Sequence, residues 1–321
     1  MSPGTGQAAG PTSVTRHSLI GRWEQYWFAE VPSEAMGLAR IAVGVAGLIN
    51  LIGFTPIELY WMQDGLVPLP GGGLGLRTNL IESGLGAVAG WTFFVGLAVA
   101  FACLTIGFFA NAVVLVCFLG SLLQVRWNPL PLTAGHGVLL ALLFCLVWAD
   151  CGARLSIDEW RRRRAPPRVP GEGGSFHSSS DHQGACQPIW PLRLIHVQVA
   201  LIYVTSGLFK LFGGVWRDGS AVYYTTGQNV FGRIFHVYPV PPSFDWALTT
   251  LTYATVLWEL GFPLLLLNRS TRRVALVTGV AMHLGIWATM EVGPFSFVML
   301  AAYVAFLEPT TIQLMLKKRF A

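Results

Sequence analysis

The sequence has few charged residues for its length. Only 12% of its 321 residues are Asp, Glu, Lys or Arg, about half the share found in soluble domains. Hydrophobic residues make up 53% of the chain, and they gather in apolar runs of about 20 residues, the length of a helix that crosses a bilayer. These features exclude an ordinary soluble domain and predict an all-α membrane protein.

Cysteine is also scarce, and several common site motifs are missing. The five cysteines show no CxxC spacing, which indicates neither a disulfide framework nor a zinc site. The sequence has no P-loop, no GxSxG elbow and no HExxH helix. The net charge of +5 comes from basic residues in short connecting segments. This placement is typical of membrane orientation rather than nucleic-acid binding.

The apolar runs predict a bundle of about eight transmembrane helices, with a re-entrant or interfacial segment between the fifth and sixth. The predicted spans are residues 35–54, 87–105, 108–125, 133–150, 190–212, 247–267, 273–290 and 294–308. Basic clusters follow the fourth, sixth and eighth spans, and an eight-helix zigzag puts all three on one side together with the N-terminus. By the positive-inside rule, both termini of this multi-pass cell-membrane protein are expected to be cytoplasmic.

The same patterns predict the domain organisation. Residues 1–34 are expected to form a polar tail and an interfacial helix, and residues 35–315 a transmembrane domain. Residues 154–189 are expected to be a disordered cytoplasmic loop, because they are rich in Arg, Pro, Gly and Ser. His177, His182 and Cys186 lie in this loop, and we interpret them as loop residues rather than metal ligands.

Five ionisable residues lie inside predicted spans, where charged groups are costly and usually face the bundle interior. They are Arg40, His136, Lys210, Glu259 and His283. We expect Arg40 and Glu259 to form a structural pair. His136 is either a residue of the membrane interface or part of a site. His283 needs a partner, from a cofactor, a proton relay or a neighbouring helix.

Lys210 is the most unusual of the five. At 100° per residue it shares a polar stripe with His196, Tyr203 and Ser206. One interpretation is a lysine whose ammonium reaches the outer headgroups. The other is a shielded amine that loses proton affinity and acts as a general base, and the glycines around it favour close helix contact or a broken helix there.

Four stretches resemble the horizontally transferred transmembrane (HTTM) family, which includes the membrane domain of the vitamin K-dependent γ-carboxylase. They are "YVTSGLFKLFGGVWRDGSAVYY", "GLARIAVGVAGLI", "GHGVLLALLFCLVWADCGARLSID" and "MHLGIWATMEVGPFSFVMLAAYVAFL". In the carboxylase a lysine of the first motif acts as base toward reduced vitamin K, and the oxygenated product abstracts a glutamyl proton before CO2 is captured.

The resemblance implies an enzyme that uses a reduced quinone, either vitamin K or menaquinone hydroquinone, on the extracytoplasmic side. It implies Lys210 and His136 as catalytic residues, and His283, Tyr203 and Trp216 as cofactor-binding residues, with no metal. The sequence ends about ten residues after the eighth predicted span, so we expect a layout like that of short bacterial HTTM proteins. The expected partners are the lipid bilayer, the quinone, a secreted peptide substrate and a partner subunit.

Two alternatives stay open. The first is a non-enzymatic membrane partner for the maturation or export of a secreted peptide, of the sporulation-delaying-protein type, with Lys210 bonded to carbonyls or a carboxyl. The second is a small-solute or ion transporter.

Overall fold

The computed structural model describes residues 19–53, 86–127, 133–165, 186–228, 232–233 and 240–319. Within them the chain is mainly helical, with one two-stranded sheet. The α-helices are α1 Leu19–Phe28, α2 Glu34–Ile52, α3 Gly86–Ile106, α4 Ala110–Trp127, α5 Ala134–Val147, α6 Ile157–Arg164, α7 Trp190–Phe212, α8 Gly214–Arg217, α9 Ala221–Gly227, α10 Asp245–Leu265, α11 Arg269–Thr289, α12 Phe295–Tyr303 and α13 Pro309–Arg319. The strands are β1 Glu30–Pro32 and β2 Cys186–Pro188, and 3-10 turns cover Pro242–Phe244 and Val304–Phe306.

A helix lies at each of the eight predicted span segments, but only some of these helices are long and apolar enough to cross a membrane. Three qualify among the described residues: Glu34–Ile52, Val88–Ile106 and Trp190–Phe212. A fourth candidate is a bent pair, Phe295–Phe306 followed by Pro309–Leu316 at 90°. The all-α membrane class is therefore supported with three to four candidate spans, and the eight-span bundle stays a prediction.

Helix α2 lies at the centre of the packing and contacts α3, α5 and α12. Small residues allow the close approach to α3. A Cβ added at Gly44 would lie 3.0 Å from the Thr105 backbone, and one at Gly47 would collide with the Phe101 ring. Close approach of this kind is how membrane helices gain van der Waals contact without a hydrophobic driving force between them.

The outer surface of the bundle is strongly apolar. Large side chains on α7, α10 and α11 point away from the protein and are mostly exposed, among them Phe209, Phe212, Leu257 and Val277. An exposed apolar surface of this size would be unfavourable in water, but it suits contact with lipid chains.

The predicted loop 154–189 is ordered at both ends. Residues 157–164 form α6, and Cys186–Pro188 pairs antiparallel with Glu30–Pro32 as β2 and β1. Cys186 is exposed, while His177 and His182 lie outside the described residues. The N-terminal helix α1 has no buried residue and exposes Trp23 and Phe28, as an interfacial helix would.

The predicted re-entrant or interfacial segment after α7 is described in part. It contains the short helix α9, whose Val222 backbone N–H donates to Thr252 Oγ1 of α10 at 3.1 Å. Ala221 is buried in this contact. Residues 229–231 and 234–239 of the segment lie outside the described residues.

Candidate functional site

Lys210 lies in the last turn of α7 and points toward α10. Its Nζ donates to Ser206 Oγ at 2.6 Å and to Glu259 Oε1 at 3.0 Å, and it lies 2.9 Å from Glu259 Oε2. The two side chains are only 20% and 12% exposed. A lysine in an apolar helix is tolerated here because a carboxylate on the neighbouring helix compensates its charge.

Gly207 makes this pairing possible. A Cβ at this position would lie 2.8 Å from Leu260 Cδ2 and 3.3 Å from Glu259 Cβ. The missing side chain therefore lets α10 approach α7 closely enough for the carboxylate to reach the amine. The predicted close helix contact around Lys210 is confirmed at this glycine.

The predicted pair between Arg40 and Glu259 is wrong. Arg40 is fully buried and donates through Nη1 to the carbonyls of Leu104, at 2.6 Å, and Thr105, at 3.0 Å, and through Nη2 to that of Leu155. These carbonyls include the end of α3, where helical carbonyls lack intrahelical donors. Arg40 thus satisfies backbone acceptors, and Glu259 is left for Lys210.

An aromatic side chain lies on the other side of the Lys210 amine. The Nζ is 5.0 Å from the centroid of the Trp216 ring, close enough for a cation–π interaction. Trp216 also lines a surface cleft of about 510 Å3 together with Tyr224, Thr225 and Gln228. The ion pair is therefore separated from a cleft by one indole ring.

Tyr203 and His283 lie deeper and bond to each other. Tyr203 Oη is 2.9 Å from His283 Nε2, and it makes a second, short hydrogen bond with Tyr303 Oη. All three side chains are buried, and the Tyr203 ring stacks on Phe262 with centroids 4.2 Å apart. His283 Nδ1 has no hydrogen-bond partner within the described part of the chain. The partner that the sequence predicted for His283 is thus a tyrosine of another helix.

His136 lies in a different part of the bundle. It is buried at the start of α5, and its Nδ1 is 3.1 Å from Asn50 Nδ2 of α2. Since an amide nitrogen donates, Nδ1 is the acceptor in this bond. The contacts of Lys210 in the described residues are with Ser206, Glu259 and Trp216, so the structure does not bring His136 and Lys210 into contact.

One aromatic residue links the two histidine regions. The Phe295 ring lies 5.6 Å from the His283 ring, and its Cα would be 2.8 Å from a Cβ added at Gly135, next to His136. The first turn of α12 therefore contacts both His283 and the glycine that precedes His136.

Sequence reasoning missed several members of this arrangement. The sequence pattern marked Glu259 but did not identify Lys210 as its partner, and it marked neither Tyr303 nor Asn50. No local signal could have identified them, because each contact joins helices far apart in the chain. The short α9, which supplies Tyr224 to the cleft, was marked only by its place in the predicted re-entrant segment.

Residues 176–310 match the family model of the HTTM domain. The match covers 135 of the chain's 321 residues. This confirms the predicted resemblance, and the matched range contains Tyr203, Lys210, Trp216, Glu259 and His283. His136 and Arg40 lie outside the HTTM match.

A curated relative carries part of the same similarity. The sporulation-delaying protein SdpB of Bacillus subtilis (strain 168) is 27% identical to this chain over 123 residues. The alignment spans 37% of this chain and 38% of the relative, so it covers well under half of either protein. No solved structure matches the chain. The HTTM match and the apolar helices together indicate a membrane protein.

Proposed function

We propose that the chain is an HTTM-domain membrane enzyme that acts with a reduced quinone and uses Lys210 as its general base. The observation that carries the proposal is the ion pair between Lys210 and Glu259, which is mostly buried between two helices and lies beside the cleft at Trp216. An amine serves as a base only after it loses a proton, and Glu259 is in place to take that proton.

The proton balance is simple. A proton leaves Lys210 Nζ and binds a Glu259 carboxylate oxygen, so an ammonium and a carboxylate become an amine and a carboxylic acid. Both charges disappear, which reduces the cost of holding the pair in apolar surroundings. In this proposal the Trp216 indole turns aside when the substrate binds, because it separates Nζ from the cleft, and the amine lone pair then accepts a proton from an acidic hydroxyl group of the bound ring. Ser206 Oγ, 2.6 Å from Nζ, orients the amine.

The residues around the cleft suit a flat, hydroxyl-bearing ring. Trp216 and Tyr224 present aromatic surfaces that would hold such a ring. A reduced quinone, when bound, would supply acidic phenolic hydroxyls and reducing electrons. Tyr203 and His283 are buried and bonded to each other, so their part in the proposal is to support α7 from behind the cleft.

The proposed orientation places this chemistry on the extracytoplasmic side. Helix α7 has 23 residues, which is roughly 34 Å of helix. Lys210 lies at its far end from the Arg-rich segment that precedes it. The positive-inside rule puts that segment, and both chain termini, in the cytoplasm.

The test is oxygen-dependent turnover of a reduced quinone. The full chain in lipid nanodiscs would be supplied with reduced menaquinone and oxygen, and quinone epoxide would be measured. We expect epoxide with the native chain, and loss with Lys210→Ala, Lys210→Arg and Glu259→Gln. Glu291→Gln, which removes an exposed carboxylate, is the matched control and should keep activity. Epoxide formation that survives Lys210→Ala would overturn the role of Lys210.

A second candidate function is a non-enzymatic partner in the maturation or export of a secreted peptide, acting with a partner subunit. It is favoured by the similarity to a sporulation-delaying protein. It is also favoured by the ion pair of Lys210 with Glu259, because such a pair suits a structural role as well. Under this alternative Lys210→Arg keeps function, because arginine retains the charge without the proton transfer. Release of a mature peptide encoded by a neighbouring gene, measured in cells carrying Lys210→Arg, would separate the two.

A further inference from the structure

The loop between α3 and α4 forms a second site, at the end of the bundle near α6. Helix α3 ends at Ile106 and helix α4 begins at Ala110. The turn between them has positive φ at Gly107 (73°) and at Phe109 (48°). Since both helices are strongly apolar, their shared end is expected at the level of the lipid headgroups. Phe108 and Phe109 are exposed there, as aromatic residues of a membrane interface often are.

A cleft of about 540 Å3 opens beside this turn. Its lining includes Phe109, Asn111, Gly152, Asp158, Arg161 and Arg162. The cleft therefore combines an apolar aromatic surface with two guanidinium groups, and it is distinct from the cleft at Trp216.

The carboxylates at this site are already occupied. Asp158 accepts from the Phe109 backbone N–H at 2.9 Å and from that of Ala110 at 2.8 Å, where α4 begins. Asp150, nearby, accepts from Asn111 Nδ2 at 3.1 Å and from the Gly152 N–H at 3.2 Å. Both acids are thus bonded to neutral groups of the loop.

The arginines of α6 differ in whether a carboxylate neutralises their positive charge. Arg163 pairs with Glu159 at 2.7 Å. Within the described ranges no carboxylate lies in ion-pair distance of Arg161, whose guanidinium packs 5.1 Å from the centroid of the Phe109 ring. Arg162 donates to the carbonyls of Gly152 and Ala153, which do not neutralise its charge. Two guanidinium groups, Arg161 and Arg162, line the cleft against one carboxylate, Asp158, so its lining carries an excess of positive charge.

Helix α6 is held firmly in front of the cleft. Ser156 caps it by accepting from the Glu159 N–H at 2.9 Å, and Glu159 binds Arg154 at 2.7 Å and the Leu155 N–H at 2.9 Å. Leu155 adopts a left-handed φ of 53°, a conformation that persists only where the surroundings enforce it. Arg161 is thus presented by a fixed helix rather than by a free loop.

We propose that this cleft binds the phosphate headgroup of an anionic phospholipid from the adjoining leaflet. Arg161 donates charge-assisted hydrogen bonds to the phosphate oxygens, and Arg162 adds positive charge. Phe108 and Phe109 lie beside the glycerol and upper acyl region. The lipid is favoured over a soluble phosphate compound because the cleft opens at the ends of two apolar helices, next to exposed aromatic side chains.

The experiment compares lipids on the full chain in detergent. Phosphatidylglycerol or phosphatidylcholine is added, and the thermal midpoint and the lipid retained in native mass spectrometry are measured. We expect phosphatidylglycerol to stabilise the chain and to be retained, and Arg161→Gln to weaken its binding about fivefold. Arg164→Gln removes the same charge from α6, but Arg164 stacks on Trp160 at 4.0 Å, so this control should bind nearly as the native chain does.

Three results would overturn the proposal. Equal loss in Arg161→Gln and Arg164→Gln would mean diffuse attraction to the basic helix rather than a site. Equal effects of the two lipids would remove the headgroup preference. Stabilisation by inorganic phosphate as strong as that by phosphatidylglycerol would point to a soluble anion as the ligand.

Discussion

Lys210 Nζ lies 2.9 Å from Glu259 Oε2, although the two residues are 49 positions apart in the chain. Lys210 is the only lysine of α7 and Glu259 is the only glutamate of α10, and both lie in apolar stretches of their helices. Their meeting explains how both are accommodated, and it joins α7 to α10 next to the cleft at Trp216. Such a pair is compatible both with a site that exchanges protons and with a structural link between the helices. Lys210→Arg distinguishes the two, because arginine keeps the positive charge but does not transfer the proton.

Removing one partner of this pair should destabilise the protein more than removing both. Glu259→Gln leaves the ammonium without its carboxylate in a mostly buried place, and we expect a loss of about 2 kcal/mol in the free energy of unfolding. The double variant Lys210→Met/Glu259→Leu should recover most of that loss. Denaturant unfolding in detergent micelles measures both.

The control is an exposed pair. Arg233 and Glu291 are 2.7 Å apart, with side chains 35% and 56% exposed, so Glu291→Gln should change stability by less than about 1 kcal/mol. Equal effects of Glu259→Gln and Glu291→Gln would contradict the view that burial makes the Lys210 pair matter.

Arg40 should be one of the least replaceable residues of the bundle. Arg40→Leu removes donors from the carbonyls of Leu104, Thr105 and Leu155, and leaves them unsatisfied in a buried place. We expect about 3 kcal/mol of destabilisation and a sharp fall in the folded yield. Arg40→Lys should rescue little, because a single ammonium cannot match the planar fork of a guanidinium.

Arg269→Gln is the control for Arg40, because that side chain is 81% exposed where it pairs with Glu308. Fluorescence-detected size exclusion of the three variants reports folded yield. Yields for Arg40→Leu that equal those of Arg269→Gln would show that the carbonyl contacts contribute little.

The contact between α2 and α3 should tolerate no side chain at Gly44. Gly44→Ala would place a Cβ 3.0 Å from the backbone N and Cα of Thr105, which cannot move without shifting α3. We expect a cost of roughly 1–3 kcal/mol from overpacking. Gly96→Ala is the matched control, since a Cβ there meets nothing within 4 Å. Gly44→Ala should have a clearly lower thermal midpoint than Gly96→Ala. Equal midpoints would refute close packing at Gly44.

Glu159 of α6 should contribute to the free energy of unfolding in a pH-dependent way. Burial tends to raise the pKa of Glu159, but the hydrogen bond from Arg154 and the charges of Arg163 and Arg154 outweigh it, so this pKa lies below its ordinary value. A carboxyl with a depressed pKa stabilises the fold above its unfolded pKa of about 4.3. That contribution is lost as the pH falls through the lower, folded-state pKa.

The measurement compares the native chain with Glu159→Gln between pH 7 and pH 3. The native chain should be the more stable at neutral pH, and the difference should shrink below about pH 4. A stability difference that stays constant down to pH 3 would mean that the Glu159 charge contributes nothing to folding.

Several features followed directly from the order of residues. Apolar run length predicted where helices lie, and a helix is found at each predicted segment, because period and hydrophobicity are local properties. Four stretches taken together, including the one around Lys210, indicated the resemblance to the HTTM family, and a family-model match over residues 176–310 confirms it. The stripe from His196 to Lys210 also followed from helical geometry alone, and three of its members, His196, Tyr203 and Lys210, contact residues outside α7.

Partners across helices did not follow from the sequence. The expected Arg40–Glu259 pair rested only on the opposite charges of the two groups. In the structure Arg40 donates to backbone carbonyls instead. The contact of Tyr203 with His283 and Tyr303, and that of His136 with Asn50, likewise join helices whose relative rotation no local pattern encodes.

By itself, then, the amino-acid order determined that this is a helical membrane protein that resembles the HTTM family and has a lysine in an apolar helix. Only the tertiary structure decided which group that lysine meets, because the missing side chain at Gly207 lets α10 pack closely against α7 beside Glu259. Local hydrophobicity sets where a helix forms, whereas the identity of its neighbours depends on the steric fit of whole helix surfaces.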